Sequence, residues 1–322
     1  MDTIDIVLIV VASVVVLFMV FVGLPLYVCF RKTFYVTKKQ KIREEFELPA
    51  GETYKPYHEL MLSWMKEAKA YNREEIIIES FDGLKLKGYY YEHQKGLPIE
   101  IMFHGYRGSA ERDLCGGIQR CKKLNRNVLI VEQRGQGGGE ECGHVITFGI
   151  KERFDAKTWA DYAYNRFGDK VPLILTGISM GASTVLMASG LDLPKTVVGI
   201  VADCGYDSPK NIICHVLESV NLPSKYFYPF LKLGAKVFGK FDLEETSPVE
   251  EVKKATVPII FIHGTADDFV PAYMSENNYN ACASIKRLEL FEGAGHGAAY
   301  LTNPEKYINA LAEIEKGYKK LN

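Results

Sequence analysis

From Ile6 to Phe30 the chain runs 25 residues without an Asp, Glu, Lys or Arg. As a helix, at 1.5 Å per residue, that run is about 37 Å long, enough to cross a bilayer with some tilt. A valine-rich helix that is apolar on every side is rare in water, which disfavours a buried core helix. A cleaved signal peptide fits poorly. Its leading segment should be basic, but Met1-Asp2-Thr3-Ile4-Asp5 is acidic, and the apolar run is too long. The run therefore predicts an N-terminal transmembrane anchor, residues 1–30.

The flanks orient it. No Lys or Arg precedes the run, whereas Arg31, Lys32, Lys38, Lys39, Lys41 and Arg43 follow it. The positive-inside rule places that side, and the large domain behind it, in the cytoplasm, making this a single-pass protein of the cell membrane. The basic cluster is also suited to touching anionic lipid. The chain has seven cysteines, an odd number in a chain too long to need disulfide staples. Cys115 and Cys121 lie six apart and no C-x-x-C occurs, so no metal site is expected.

Residues 31–73 read as a basic juxtamembrane linker and helix, the helix over 57–70 carrying Leu60, Met61, Trp64, Met65 and Ala68 at three- and four-residue steps. Residues 74–322 read as one α/β domain. Ile76–Phe81 and Leu84–Tyr89 form a hairpin through the two-residue turn Asp82-Gly83. Short apolar strands follow at 99–103, 128–132, 173–176, 198–202, 258–262 and 287–291, separated by helical stretches at 110–124, 153–167, 180–190 and 272–284, with a last helix at 304–319. Such alternation predicts a mostly parallel sheet of about eight strands, helices on both faces and an antiparallel pair at one edge. A long interval between the strands at 198–202 and 258–262 breaks the rhythm. Helices near 209–220 and 227–239, rich in Tyr and Phe, suggest a cap insert at about 205–250. Net charge is −1 and no basic tract lies inside the domain, which gives nucleic-acid binding no support.

One junction carries chemistry. Leu173–Thr176 runs into Gly177-Ile178-Ser179-Met180-Gly181 and then into a small-residue helix. A serine on a sharp strand-to-helix turn needs flanking residues without side chains, and G-x-S-x-G supplies them. Its hydroxyl needs a base, and the base needs an orienting acid further along the chain. His296, in Gly293-Ala-Gly-His-Gly, is the candidate base. Asp267, in His263-Gly-Thr-Ala-Asp-Asp, is the favoured acid, with Asp268 and Asp203 as alternatives at strand ends. The backbone N–H groups of Met180 and Tyr106 are the candidate oxyanion donors, Tyr106 lying in the loop His104-Gly-Tyr-Arg-Gly-Ser109. His104 is expected to brace that loop. The glycines at 135, 137 and 139 do not complete a dinucleotide fingerprint, since position 140 is Glu and no helix opens there; no cofactor is expected.

The segments HGYRGS, EQRGQGGGE, GISMG, HGTADDFVP and GAGHG occur in the order and at the spacings of the α/β-hydrolase superfamily of serine esterases, lipases and peptidases, which residues 74–320 resemble. Ile146 to Tyr162 also resembles a subgroup of bacterial membrane-anchored hydrolases. One departure is visible: the loop after the fourth strand more often reads Asp-x-Arg-x-x-Gly-x-Ser, whereas here it begins at Glu132 and runs through Gly137-Gly138-Gly139. The resemblance implies a serine hydrolase with Ser179, His296 and Asp267 as its triad. The anchor and aromatic cap favour a lipophilic acyl ester, of monoglyceride or lysophospholipid type, with a small-molecule or lipid substrate and the membrane as partners. A serine aminopeptidase or amidase is the enzymatic alternative. A non-catalytic, membrane-tethered binding module of the same fold is the other.

Overall fold

The computed structural model describes residues 2–41, 45–137, 139–312 and 314. Its sheet has eight strands: β1 Glu74–Glu79, β2 Lys85–Tyr91, β3 Ile99–Phe103, β4 Asn127–Val131, β5 Leu173–Ile178, β6 Val197–Asp203, β7 Ile259–Gly264 and β8 Lys286–Phe291. Their spatial order is β1-β2-β4-β3-β5-β6-β7-β8. β2 pairs antiparallel with both β1 and β4, and all other pairs are parallel. β3, β4 and β7 are buried at every residue, as strands covered on both faces must be. At the edge, β1 buries only Ile76 and Ile78.

The longer helices are α1 Thr3–Thr33, α2 His58–Ala70, α3 Ala110–Lys123, α4 Glu152–Phe167, α5 Met180–Ala188, α6 Pro209–Ser219, α7 Ser224–Gly234, α8 Tyr273–Ala281 and α9 Pro304–Ala312. α4 and α5 cover one face of the sheet around Trp159 and Leu186. α3 and α9 cover the other, around Met102, Ile118, Tyr307 and Leu311. This is the mostly parallel, two-sided sheet that the alternation predicted. Of the last helix, residues 313 and 315–319 lie outside the described residues, as do Arg43 of the basic cluster and Gly138 of the glycine run.

Three local features differ from expectation. The hairpin does not turn on two residues. Glu79 pairs with Lys85, leaving 80–84 as the loop. Ser80 Oγ accepts the Leu84 N–H at 2.8 Å and donates to Asp82 Oδ1 at 2.8 Å. Arg134 then holds the Asp82 carboxylate at 2.9 and 3.0 Å while its other edge grips Asp155 at 2.6 Å, so the loop is widened to reach the body. Second, β3 contains a fully buried Glu100, which accepts from Arg126 Nη1 at 2.7 Å, Thr176 Oγ1 at 2.8 Å and Arg120. Arg126 also donates to the Leu311 carbonyl at 2.8 Å and so ties α9 to the sheet.

Third, the described residues of the 31–73 segment are built into the body rather than strung between two parts. Phe34 and Val36 are buried, and their backbone pairs with the 144–146 segment: Val36 N–H donates to His144 O and Ile146 N–H to Phe34 O, both at 2.8 Å. Phe34 packs edge-on against Phe148 and Phe241. The last turns of α1 are docked as well. Leu26 and Phe30 are buried against α7, whereas the large apolar residues from Ile4 to Leu24 are exposed except Val22, which is half-buried.

The interval between β6 and β7 holds α6 and α7. α7 begins at Ser224 and passes into a π-helical turn, Ala235–Gly239, which Lys240 ends at φ +55°. Ile212, Ile213, Val216 and Leu217 of α6 and Leu231 of α7 line a cavity that reaches Ser179, just past the end of β5.

Candidate active site

β5 ends at Ile178 and α5 begins at Met180; Ser179 makes the turn alone, at φ +57° and ψ −120°. A left-handed conformation is strained for any residue with a Cβ and needs surroundings that enforce it. Here the enforcement is steric. A Cβ on Gly177 would lie 2.1 Å from the Gly181 carbonyl carbon, and one on Gly181 would lie 2.1 Å from Phe103 O. Ser179 N–H donates to Asp203 O at 2.8 Å, which fastens the turn to the end of β6.

Ser179 Oγ lies 2.9 Å from His296 Nε2, and His296 Nδ1 lies 2.8 Å from Asp267 Oδ2. The three groups come from three separate loops, 88 and 29 residues apart in sequence. Asp267 is held on every side. Its Oδ1 accepts the N–H groups of Phe269 at 3.0 Å and Val270 at 2.9 Å, and its Oδ2 also faces His263 Nε2 at 3.2 Å. Burial alone would push its pKa up, but hydrogen bonds from His263, His296 and the Val270 N–H hold it well below the usual carboxylate range. A carboxylate that stays charged in this position fixes the imidazole with Nε2 toward the hydroxyl, the arrangement needed to accept its proton.

Of the three candidate acids, only Asp267 contacts His296 among the described residues. Asp268 is exposed. Asp203 is fully buried, accepts the Tyr307 hydroxyl at 2.9 Å, and has its pKa pushed up to about 6 by burial, against the pull of Tyr307 and nearby cations. His104 does brace its loop: Nε2 accepts the Gln133 N–H at 3.1 Å and Nδ1 lies 2.8 Å from Gly105 O. Tyr106 and Met180 both line a cavity that reaches Ser179. Among the described residues neither N–H has an acceptor within the protein, which leaves both free for a ligand oxygen.

Two supporting residues escaped sequence reasoning. His263, fully buried in the same HGTADD segment as Asp267, hydrogen-bonds Ser275 Oγ and Val270 O at 2.7 Å and presents Nε2 to Asp267. Its four-residue spacing from Asp267 was the available signal. Tyr54, in the juxtamembrane segment, donates its hydroxyl to His296 O at 2.6 Å. No local pattern marked it. A third neighbour is Cys204, whose sulfur lies within 4.8 Å of donor atoms of Asp267 and His296. Burial drives its thiol pKa well up, and a metal ion there would take over atoms that hold the serine, imidazole and carboxylate in line.

Two cavities meet at Ser179. One, of about 170 Å³, is apolar, walled by Ile212, Ile213, Val216 and Leu217 of α6, Leu231 of α7 and Thr33 at the foot of α1. The other, of about 270 Å³, lies under the juxtamembrane segment, between Tyr54, Trp64, Arg112, Asp113 and Tyr300. The foot of α1 is wired to the loop carrying Tyr106. The Tyr106 hydroxyl donates to Thr33 O at 2.6 Å, and Arg107 Nη2 donates to Lys32 O at 2.8 Å.

An eight-stranded, mostly parallel sheet with a serine on a strained strand-to-helix turn defines the α/β-hydrolase fold, and this chain has it. Solved structures agree. The Pyrococcus furiosus esterase Pf2001 superposes with a TM-score of 0.62 at 21% identity, covering 78% of this chain and 94% of that one. The Pyrococcus horikoshii acylaminoacyl peptidase superposes with a TM-score of 0.53 at 15% identity, covering 78% of this chain and 41% of that one. In sequence, the chain is similar to the uncharacterised protein YqkD of Bacillus subtilis, 26% identical over 242 residues, which are 74% of this chain and 78% of that protein. No protein-family model matches.

Proposed function

We propose that this protein is a serine hydrolase working through an acyl-enzyme. Ser179 attacks the substrate carbonyl while His296 takes its proton. Asp267 holds His296 in orientation and stabilises its charged form. The N–H groups of Tyr106 and Met180 receive the developing oxyanion, and His296 returns the proton to the leaving group. Water then attacks the acyl-enzyme by the same route and frees the acid. The observation that carries this reading is the unbroken line from Ser179 Oγ through His296 to Asp267, with contacts of 2.9 and 2.8 Å. A fluorophosphonate probe tests it, because only an activated serine reacts. Wild-type protein should label and Ser179→Ala should not. Equal labelling of the two, or none of the wild type, sinks the mechanism and favours a binding module.

The substrate we propose is a lipophilic acyl ester of monoglyceride or lysophospholipid type. An apolar cavity of about 150 Å³ holds a benzene-sized guest, so the cavity of about 170 Å³ beside Ser179 suits the first carbons of an acyl chain. The second cavity at Ser179 is largely apolar but brings Arg112 and Asp113 to its wall, and those charged groups suit the hydrophilic part of a leaving group. A panel of esters of rising chain length, with matched amides, separates this from the amidase reading. A rate that peaks at acetyl, or amides cleaved faster than esters, would overturn the choice.

We further propose that α1 anchors the protein in the membrane with the catalytic domain on the cytoplasmic side. A signal peptide would be cut near the end of the apolar run. Here that end is core: Leu26, Phe30 and Phe34 are 6%, 4% and 0% exposed, so cleavage would strip packed side chains from the domain. A C-terminal reporter tests the orientation, and an extracytoplasmic signal would reverse it.

A further inference from the structure

Among the described residues, the cap bears an exposed surface that is both apolar and basic. Along α7 and its π turn, Tyr226, Phe230, Leu233 and Val237 are exposed, as are Val220 and Leu222 in the preceding turn. Six exposed large apolar side chains within one short segment are the kind of surface that marks a docking site. Charge narrows the occupant. From 219 to 241 there are four lysines, Lys225, Lys232, Lys236 and Lys240, and no acid. Interleaving with apolar residues kept them from reading as a basic tract. Lys225, Lys236 and Lys240 are exposed. An amphipathic helix with aromatic residues on one side and lysines beside them is suited to the headgroup boundary of an anionic bilayer.

The depth of this patch is fixed by α1. The apolar run is about 37 Å long against a hydrocarbon core of about 30 Å, an excess of about five residues. Those residues are accounted for by the cap. Leu26 and Phe30 are buried, Gly234 of α7 packs on the Leu26 carbonyl and the Phe30 Cβ, and Phe238 packs on the rings of Tyr27 at 5.3 Å and Phe30 at 5.6 Å. The free stretch from Ile6 to Leu24 is 19 residues, about 28 Å, which matches the hydrocarbon without help. Gly234 and Phe238 therefore sit within a helical turn of the membrane boundary.

We propose that α7, its π turn and the Val220–Leu222 turn lie in the bilayer interface as a second membrane contact, and that acyl substrate enters the Ser179 cavity from the lipid along the seam between α1 and α7. This rests on the anchor and on the ester-hydrolase reading above. The cavity wall already contains both sides of that seam, Thr33 and Lys32 from α1 and Leu231 from α7. A chain longer than the cavity holds would trail along the seam into the bilayer rather than into water.

The test uses the full-length protein in vesicles of phosphatidylcholine and phosphatidylglycerol. Its own tryptophans are Trp64 on α2, packed on Tyr300, and Trp159, buried on α4. Tyr226→Trp places a reporter on the patch. Lipids brominated near the headgroup end of the chain should quench the added emission at least twofold more than they quench wild-type emission. Quenching equal to wild type overturns the membrane contact, and a crosslinked dimer through this face would name a second copy as the occupant instead. A second variant, Leu222→Glu/Tyr226→Glu/Val237→Glu, should keep its rate on a soluble short-chain ester within twofold and lose at least tenfold on a long-chain monoglyceride embedded in the vesicles. Equal loss on both substrates, or on neither, overturns the entry route. If wild type cleaves neither substrate, the hydrolase reading fails, while the quenching result still decides the membrane contact.

Discussion

Asp267→Asn probes the proposed mechanism at its most determined point. The carboxylate has no free edge. Oδ1 takes two backbone N–H groups, from Phe269 and Val270, and Oδ2 takes His296 Nδ1 and His263 Nε2. An amide has one oxygen and one NH₂. If its oxygen keeps the backbone donors, the NH₂ faces two imidazole nitrogens. His296 must then accept at Nδ1 and carry its proton on Nε2, so it meets the Ser179 hydroxyl as a donor and can no longer take its proton. If the amide turns over, its NH₂ opposes two N–H groups at 3.0 and 2.9 Å, which costs more than one lost bond. The first orientation therefore wins, and the imidazole is locked in the wrong tautomer. The same exchange in a serine-protease triad lowers kcat by about 10⁴. At about 1.36 kcal/mol per decade that is about 5.5 kcal/mol of activation free energy. Loss of charge-assisted hydrogen bonds should also remove about 1.5–3 kcal/mol of stability. The assay is kcat/KM on a p-nitrophenyl ester at pH 8, with a thermal melt to show that the variant is folded. A folded variant within tenfold of wild type would refute the reasoning and move the acid's role elsewhere.

Asp203→Asn is the matching control: it should retain activity within a few-fold, because Asp203 contacts Tyr307 rather than His296. Its pKa, raised from 3.8 to about 6, means wild type loses stability as pH rises from about 4 to about 6, by up to about 3 kcal/mol. The Asn variant should melt higher than wild type at pH 8 and equal to it near pH 4 in paired thermal scans. Glu100 has the opposite sign. Burial opposes its charge, but Arg120 and Arg126 hold its pKa down to about 2, so its contribution is present above about 4.5 and lost as pH falls toward 2. Glu100→Gln should cost about 3–5 kcal/mol at neutral pH, seen in urea unfolding, by leaving two buried guanidinium groups without their carboxylate. Gly181→Ala should destabilise by about 3 kcal/mol or more, because its methyl group meets backbone rather than a mobile side chain; a melt unchanged from wild type would contradict the tightness of the turn. Tyr54→Phe should lower kcat about fivefold with KM little changed, since one neutral hydrogen bond of about 1 kcal/mol positions the His296 loop.

What was legible in the sequence follows from the range of each signal. The strands and the serine turn are written in consecutive residues: an apolar run of the right length, then glycines where a Cβ would strike backbone. Glu100 was masked by its apolar neighbours, because the arginines that neutralise it lie 20 and 26 residues away and only the α3 fold-back joins them. Asp82-Gly83 had the composition of a tight turn, but Arg134, 52 residues on, pulls Asp82 outward and widens the loop. The juxtamembrane segment was the least legible. Its attachment depends on single residues, Phe34, Val36 and Tyr54, whose contacts lie from about one hundred to more than two hundred positions away.

Because Phe30 and Phe34 are core residues and Thr33 O accepts the Tyr106 hydroxyl, α1 cannot rotate or withdraw without moving the loop that presents the Tyr106 N–H. Downstream, Tyr54 holds the loop of His296. The foot of α1 and the Tyr54 segment thus hold, respectively, the loop of the proposed oxyanion donor and the loop of the proposed base. At its inner end the helix that carries the apolar run forms one wall of the cavity in which the acyl group would sit.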